Sequence, residues 1–262
     1  MRELFLTASV RDSDFGMARA VLEGLSWMRA RRTTHRILFL HGQPQPRQLK
    51  NLPLFQQSRY LPFWKELSSH LARSSYVVQT AYEAVPERDF GTGAAMEFNL
   101  LPATLRWTDL PDPLRDLPVT SRKKIEIPDQ TSLLPAMAEN GFRYQSEVIQ
   151  ESYSLVRDNV EFVFSRYYHV PTDAGAAAGA GPRPAASLPA WADLRPVDPA
   201  QKWVLNVKLN VFDDTQPDKV KKALEELLAI RAELAGVFDF RPIDRRVFDT
   251  RIAPPPAIPG RG

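Results

Sequence analysis

Hydrophobic and polar residues alternate along the first ten positions of the chain, MRELFLTASV. Leu4, Leu6, Ala8 and Val10 fall on one face of an extended backbone, and Glu3 begins the opposite face. A period of two over this length is typical of a half-buried β-strand. The pattern therefore predicts a strand at the start of the chain and raises the question of what Glu3 does on it.

The apolar spacing becomes helical after Asp12 and Ser13, which are N-cap candidates. FGMARAVLEGLSWM carries apolar residues three and four positions apart, as one face of an amphipathic helix does. TTHRILFLHG then predicts a second strand. Residues 1–42 are thus expected to form a strand–helix–strand unit.

The middle of the chain is predicted to be mostly β. LPFWKELSSHLARS indicates a short helix, and proline-bounded stretches indicate strands at SYVVQTAYEAV, AAMEFNLLP, ATLRWTDL and SRKKIEI. The strongest pattern is a hairpin from Phe142 to Val170 with Asp158-Asn159 as its turn. Its second arm carries aromatic residues on both faces, among them Phe164 and Tyr167. Strands that are apolar on both faces favour a sheet that is filled inside and covered outside, as in a barrel.

Residues 171–200 differ in composition from their surroundings, because nineteen of the thirty are Ala, Gly or Pro. Such a segment has too little side chain to bury for it to offset the entropy of ordering. We expect a flexible loop inside one domain, since a clear strand pattern resumes directly after it.

The C-terminal part repeats the order of the N-terminal part. WVLNVKLNVF alternates cleanly, and PDKVKKALEELLAIRAELAG predicts a helix with an apolar stripe of Val220, Leu224, Leu227 and Leu234. The apolar face of the strand, with Trp203, is expected to point outward beneath this helix, and the face with Lys208 into a hydrated lumen. GVFDFRPIDRRVFDTRI is expected to be extended, and residues 253–262 a disordered tail.

These elements do not alternate regularly between β and α, so a doubly wound sheet is disfavoured. We expect a mainly β fold with some α (α+β): a single antiparallel β-barrel over residues 1–252 with a few covering helices.

Composition excludes several kinds of site. The 262 residues include no cysteine, which rules out disulfides, zinc–thiolate and iron–sulfur ligation and thiol catalysis. No apolar run approaches the roughly 20 residues that cross a bilayer, so no membrane partner is expected. The net charge of +3 is far from that of a polybasic nucleic-acid binder, and no direct nucleic-acid contact is expected.

Motifs that carry chemistry are also missing from the sequence. The four histidines lack a short ligand pair, no Gly-x-Ser-x-Gly elbow occurs, and GTGAAM at Gly91 has no preceding strand. We therefore predict no catalytic, cofactor-binding or metal-binding residues.

A barrel with polar faces could still be a triphosphate-tunnel enzyme, in which glutamates at alternate strand positions share one lumen. The sequence contains no Glu-x-Glu, and a metal-dependent phosphohydrolase needs several converging carboxylates. We therefore interpret Glu3 as a surface or strand-end residue and the first strand as part of the frame. The alternative is a tunnel phosphohydrolase that uses Glu3, Glu97, Glu126 and Glu161.

Several of these stretches resemble the fungal family of Mediator of RNA polymerase II transcription subunit 18. MRELFLTASV, MARAVLEGLSWM and HRILFLHGQPQPR resemble its N-terminal region, and WVLNVKLNVF with PDKVKKALEELLAI is similar to its C-terminal half. The resemblance covers about residues 1–170 and 201–252. It implies a barrel related to the triphosphate-tunnel (CYTH-like) fold that is used as a non-enzymatic scaffold.

The same resemblance implies a nuclear coactivator subunit of the Mediator head module. Its implied partners are Mediator subunit 20, a C-terminal helix of Mediator subunit 8, other Mediator subunits and the RNA polymerase II machinery.

One segment offers candidate partner-binding residues. LPLFQQSRYLPFWKEL gathers apolar and aromatic side chains in a proline-interrupted stretch, namely Leu54, Phe55, Tyr60, Phe63 and Trp64. Aromatic anchors of this kind bind partner helices, and they also fill cores. Both interpretations stay open from the sequence.

Overall fold

The computed structural model describes residues 1–50, 58–113, 118–171 and 182–253. Its nine strands are β1 (Arg2–Val10), β2 (Arg31–His41), β3 (Val77–Glu83), β4 (Ala103–Thr108), β5 (Thr120–Gln130), β6 (Arg143–Arg157), β7 (Val160–His169), β8 (Arg195–Pro196) and β9 (Trp203–Val211). Its five helices are α1 (Phe15–Ser26), α2 (Leu61–Leu71), α3 (Pro86–Asp89), α4 (Leu133–Glu139) and α5 (Pro217–Glu233).

Eight of the strands close into an antiparallel barrel. The order is β6-β2-β3-β4-β5-β1-β9-β7, and the pairing of β7 with β6 completes the circle. The short strand β8 pairs with the C-terminal end of β7, at Tyr168 and His169. This confirms the single antiparallel barrel with covering helices.

The long hairpin forms where the pattern predicts it. β6 and β7 pair over ten positions, from Val148 opposite His169 to Arg157 opposite Val160. Asp158 in the turn has φ 53°, a left-handed conformation that short polar residues tolerate.

The helices cover two separate patches of the outer barrel surface. α1 and α5 pack on the outward side chains of β1, β7 and β9, including Trp203, Leu205 and Val207. α2 and α4 pack on outward side chains of β2 to β5, and these residues form the second core patch. The predicted outward orientation of the apolar face of β9 is confirmed.

Several elements differ from the sequence predictions, and the short α3 and β8 are among those that were not predicted. AAMEFNLLP forms no strand; it is a loop and turn whose Met96, Phe98 and Leu101 pack against the second core patch. The prediction was wrong because these apolar residues are buried by a loop, without a strand ladder. Helix α4 was not predicted, since it is short and contains Pro135.

Part of the segment 171–200 packs on the barrel. Arg36 and Glu147 are buried on the outer face, and Arg36 Nε lies 2.6 Å from Glu147 Oε2. Arg36 Nη2 donates a 2.6 Å hydrogen bond to the carbonyl of Ala185, and the Ala185 N–H donates to Glu147 Oε1 at 2.8 Å. Leu188 and Leu194 are buried in the same place.

The flexible loop predicted for 171–200 stays a prediction, and residues 172–181 lie outside the described part of the chain. Within the described residues 182–200, Ala185, Leu188 and Leu194 are buried against the barrel. The division of the chain into one domain, 1–252, with a tail at 253–262 likewise stays a prediction.

The segment after α5 is extended but belongs to no strand. It makes isolated bridges at Phe240 with Ala8 and at Arg251 with Tyr76, with a 3-10 turn at Arg245–Phe248 between them. It therefore crosses one end of the barrel from β1 to β3. None of the helices in the described ranges has both the length and the apolar character that a membrane span requires.

Candidate functional site

The barrel encloses a polar cavity of about 380 Å³. Because side chains of a strand alternate between its two faces, every second residue of each barrel strand points into this lumen. The charged residues that line it are Glu3, Arg106, Arg122, Lys124, Glu126, Glu161 and Lys208. Among the described residues, four cations thus face three carboxylates in the lumen, an excess of one positive charge.

Glu3 lies at the centre of this network, which corrects its interpretation as a surface or strand-end residue. Its residue surface is 3% exposed. Arg122 Nη2 lies 2.7 Å from Glu3 Oε2, and Lys124 Nζ lies 3.0 Å from Oε1. The interpretation was wrong because the register of β1 with β5, which places Glu3 opposite Arg122, cannot be derived from the alternation of β1 alone.

The neighbouring charges keep Glu3 ionised despite its burial. Burial raises the pKa of Glu3, but the charges of Lys124, Arg122 and Lys208 together outweigh it and lower this pKa to about 2. Glu3 is therefore a carboxylate at neutral pH, with two cations in direct contact.

Lys124 joins a second carboxylate to the first. Its Nζ lies 3.1 Å from Glu126 Oε2, and Arg106 Nε lies 3.2 Å from Glu126 Oε1. Burial lowers the pKa of Lys124, but Glu3 and Glu126 raise it above its ordinary value. The pKa of Glu126 is lowered, because Lys124 and Arg106 outweigh the opposing effect of burial.

Glu161 and His35 are two further ionisable groups of the lumen. Glu161 Oε2 contacts Lys208 Nζ at 3.1 Å across the β7–β9 pair. Burial, assisted by the charge of Arg106, lowers the pKa of His35 to about 4, so this imidazole is neutral at pH 7. Each carboxylate of the lumen is thus paired with at least one cation of the chain itself.

This arrangement suits a structural ion network better than a metal centre. Glu3, Glu126 and Glu161 share the lumen, but Glu97 is exposed in a loop outside it. Over the described ranges, no group of three or more His, Cys, Asp or Glu residues could hold a metal ion. A carboxylate that already binds Lys or Arg is a poor ligand for a cation, because the two positive charges compete.

The C-terminal segment crosses one mouth of the barrel, where Phe248 and Thr250 line the lumen. The rings of Phe248 and Phe5 meet edge to face with centroids 5.6 Å apart, and Arg122 lies over both rings. Thr250 Oγ1 donates a 2.9 Å hydrogen bond to the carbonyl of Thr108. The segment therefore restricts access to the lumen from this side.

The described residues among the predicted partner-binding residues differ in their exposure. Trp64 lies in the second core patch at 3% exposure, so its ring is not on the surface. Tyr60 and Phe63 pack against that patch and stay partly exposed, whereas Leu54 and Phe55 lie outside the described residues. Burial of Trp64 removes it as a surface anchor, and a partner surface formed by the other four residues stays a prediction.

Comparisons with known proteins agree on one family. The model of the family described as Med18 protein matches residues 2–251. The chain is 25% identical over 250 residues to Mediator of RNA polymerase II transcription subunit 18 of Coccidioides immitis, covering 88% of this chain and 92% of that protein. With the protein of the same name from Aspergillus niger, identity is 23% over 274 residues, covering 96% and 99%.

A solved structure shares the fold. A chain in the structure of the Schizosaccharomyces pombe Mediator head module superposes with a TM-score of 0.64 at 13% sequence identity. The alignment covers 93% of this chain and 99% of that chain.

Proposed function

Because the chain belongs to the Med18 family, we propose that it acts as a scaffold subunit of the Mediator head module and links transcription regulators to RNA polymerase II. The observation that carries this proposal is the extent of the family match. Residues 2–251 include every strand of the barrel and every helix that covers it. A protein of this family is a structural, non-enzymatic subunit, and so is this chain.

The lumen supports a scaffold role on physical grounds. A metal-dependent tunnel phosphohydrolase needs carboxylates that are free to bind metal, and those of this lumen bind Lys124, Arg122, Arg106 and Lys208 instead. Buried ion pairs fix strand register, because breaking one leaves a charge without a partner. The network thus stabilises one shape of the barrel, which is what a scaffold requires.

The proposed partners are Mediator subunit 20, a C-terminal helix of Mediator subunit 8, and through them the other Mediator subunits and the RNA polymerase II machinery. The proposed location is the nucleus, where transcription by this polymerase takes place. The resemblance to the subunit 18 family supports both the proposed partners and the proposed location.

Purification of the tagged chain from its native cells tests the proposal. We expect the head-module subunits, subunits 8 and 20 among them, to co-purify in stoichiometric amounts in quantitative mass spectrometry. Recovery of the chain without Mediator subunits would contradict it.

A turnover assay tests the alternative of a tunnel phosphohydrolase. We expect no release of phosphate from tripolyphosphate or nucleoside triphosphates with Mg²⁺ or Mn²⁺. Turnover that is lost on substitution of Glu3, Glu126 or Glu161 would favour the enzyme.

A further inference from the structure

A groove on the outer barrel wall is filled by a segment of the chain itself. This segment, residues 183–196, which we call the strap, lies against β2, β6 and β7 on the side away from the lumen. Its side chains enter the groove at every third position as buried or half-buried anchors, namely Ala185, Leu188, Trp191 and Leu194. The residues between these anchors are exposed or partly exposed. A short row of regularly spaced anchors is typical of a linear peptide that is bound in a groove.

The backbone conformation of the strap explains this spacing. Ala190 (φ −59°, ψ 146°) and Leu194 (φ −69°, ψ 134°) lie close to polyproline II values. Trp191–Asp193 between them is one 3-10 turn. Both conformations have three residues per turn, so every third side chain points the same way. Pro184 and Pro189, with their fixed φ, favour the same extended chain.

The floor of the groove binds the strap by its backbone. Arg36 Nη2 donates a 2.6 Å hydrogen bond to the Ala185 carbonyl, and the Ala185 N–H donates to Glu147 Oε1 at 2.8 Å. Arg36 and Glu147 also contact each other across the adjacent strands β2 and β6, which fixes the positions of both side chains. Because every residue except proline offers one N–H and one carbonyl, this pair binds a peptide unit independently of its side chain.

The loop after α3 forms one wall of the groove. The Gly91 N–H donates to the carbonyls of Leu188 and Pro189, each at 3.1 Å. Gly91 has φ +70°, and a Cβ at this position would lie 3.2 Å from Ala190 Cα. Glycine therefore serves both the turn of the loop and the close approach of the strap. This gives the first glycine of GTGAAM a role in holding an extended segment.

An aromatic pocket holds the largest anchor. The Trp191 ring meets Phe90 and Tyr168 edge to face, with centroids 5.1 Å and 5.3 Å away. The Arg32 guanidinium lies over the same ring, 5.4 Å from its centroid. Phe90 follows α3, and the other two residues belong to β7 and β2, so all three walls of the pocket lie outside the strap. Tryptophan in a pocket of this kind contributes strongly to the binding energy of protein interfaces.

The strap is attached mainly through these anchors. Among the described residues, its only β-bridge before β8 begins at Arg195 is the isolated one between Leu188 and Phe90. A segment with few backbone hydrogen bonds opens locally at a lower free-energy cost than a strand of the barrel. The groove, in contrast, stands on paired barrel strands and should keep its shape when the strap leaves it.

We propose that this groove is a binding site for an extended, proline-containing segment of another protein, and that the strap occupies it in the absence of that segment. The partner segment carries a small residue, a leucine and a tryptophan at intervals of three, as the strap does, and it exchanges with the strap. A tethered segment competes at an effective concentration in the millimolar range, so a free segment binds tightly only when the strap is released. The inference goes beyond the proposed function, because that function assigns no surface to any partner.

A peptide with the sequence of the strap tests the site. The probe is fluorescein-labelled RPAASLPAWADLRP, residues 183–196. The control peptide carries Leu188→Ala and Trp191→Ala. The same two substitutions in the full chain remove two anchors of the strap and leave the groove unchanged. We expect this strap variant to bind the probe at least ten times more tightly than the wild type does in fluorescence anisotropy, and to bind the control peptide at least ten times more weakly than the probe.

A third substitution locates the binding. Arg36→Met in the strap variant removes the contact to the peptide backbone and should weaken the probe at least fivefold. Arg241→Met, at an exposed position of the C-terminal segment, is the matched control and should leave the affinity unchanged. Equal affinities of the wild type and the strap variant for the probe, or equal binding of the two peptides by the strap variant, would overturn the proposal.

A single thiol follows the exchange in a chain that keeps its tryptophan anchor. The sequence has no cysteine, so Leu188→Cys carries one thiol, at a buried position of the strap. Its rate of reaction with DTNB measures how often the strap leaves the groove. The unlabelled probe peptide at millimolar concentration should raise this rate at least fivefold, because it occupies the emptied groove, and the control peptide should not. An unchanged rate would overturn the proposal even if the strap variant fails to fold.

Light scattering checks the remaining occupant, the strap of a second copy of this chain. We expect a monomer at micromolar concentration. A dimer that Trp191→Ala dissociates would overturn the proposal in favour of an exchange of straps between copies.

Discussion

Glu3 and Arg122 face each other across the β1–β5 pair, with Glu3 Oε2 and Arg122 Nη2 2.7 Å apart inside the barrel. This pair of strands is short, with four paired positions from Arg2 to Phe5. Lys124 contacts the second oxygen of Glu3 and extends the network to Glu126 on the same strand. The ion network therefore supplements the hydrogen bonds at a weak junction of the barrel wall.

Replacing the central carboxylate should destabilise the protein. In Glu3→Gln, Arg122 and Lys124 lose their shared counter-charge, and breaking a buried pair of this kind costs about 3–5 kcal/mol. Urea unfolding at pH 7 measures the loss. The matched control is Glu225→Gln, which removes an exposed pair with Lys221 on α5 and should change the free energy of unfolding little. Equal effects of the two variants would show that the lumen network contributes no more stability than an exposed ion pair.

The same substitution should lose its effect in acid. The folded-state pKa of Glu3, about 2, is lower than its ordinary value of 4.5. The stabilisation by its charge is thus complete above pH 4.5 and is lost as the pH falls toward 2. For a shift of this size the contribution is about 3 kcal/mol at neutral pH. The difference in unfolding free energy between wild type and Glu3→Gln should therefore shrink steadily from pH 4.5 to pH 2.5. A constant difference over this range would contradict the account.

Helix α5 offers a second test of the packing. Leu227 is fully buried against the outward face of β9, while Leu224 is only partly buried at its edge. Leu227→Ala should lower the free energy of unfolding by about 2–5 kcal/mol, and Leu224→Ala by less. The opposite ranking in thermal or urea unfolding would mean that the helix faces the barrel with a different side.

Limited proteolysis tests the division of residues 171–200. Elastase cleaves after alanine and is the suitable protease, since Arg183 and Arg195 are each followed by proline and resist trypsin. We expect the first cut before Ala185, because Ala185 is held by Arg36 and Glu147. In Arg36→Met, cleavage after Ala186 and Ala190 should accelerate. Early cleavage at these two positions in the wild type would contradict the packing of this half of the segment.

The elements that the sequence predicts well are those with long, regular patterns. The alternation of WVLNVKLNVF identifies β9 and also its orientation, because Asn206 and Lys208 suit a hydrated lumen. The hairpin of β6 and β7 follows equally from two extended runs around Asp158. In both cases the alternation in the sequence matches the alternation of side chains between the lumen and the covered outer face of the barrel.

The lumen network could not be predicted because it depends on strand order. Glu3, Lys124 and Lys208 are distant in sequence, and they meet only because β1 lies between β5 and β9. A search for Glu-x-Glu finds carboxylates on one strand and misses a network shared between strands. The available signal was the sequence Lys124-Ile125-Glu126, which places opposite charges on one face of β5.

The partner surface is difficult to predict for a related reason. Trp64 is a residue type that is typical of interface anchors. Its position on helix α2, however, places its ring in the second core patch. Trp27 follows a helix that already has a buried face, and the sequence alone does not show which aromatic is left in solvent. Exposure depends on how each helix rotates against the barrel.

Reconstitution with defined partners tests the central claim, that this barrel is a binding scaffold, most directly. The chain is co-expressed with Mediator subunit 20 and the C-terminal segment of subunit 8 of the same organism, and the mass of the product is measured by gel filtration with light scattering. We expect one species with the mass of a 1:1:1 complex that persists at micromolar concentration. Separate elution of the three proteins at that concentration would contradict the claim.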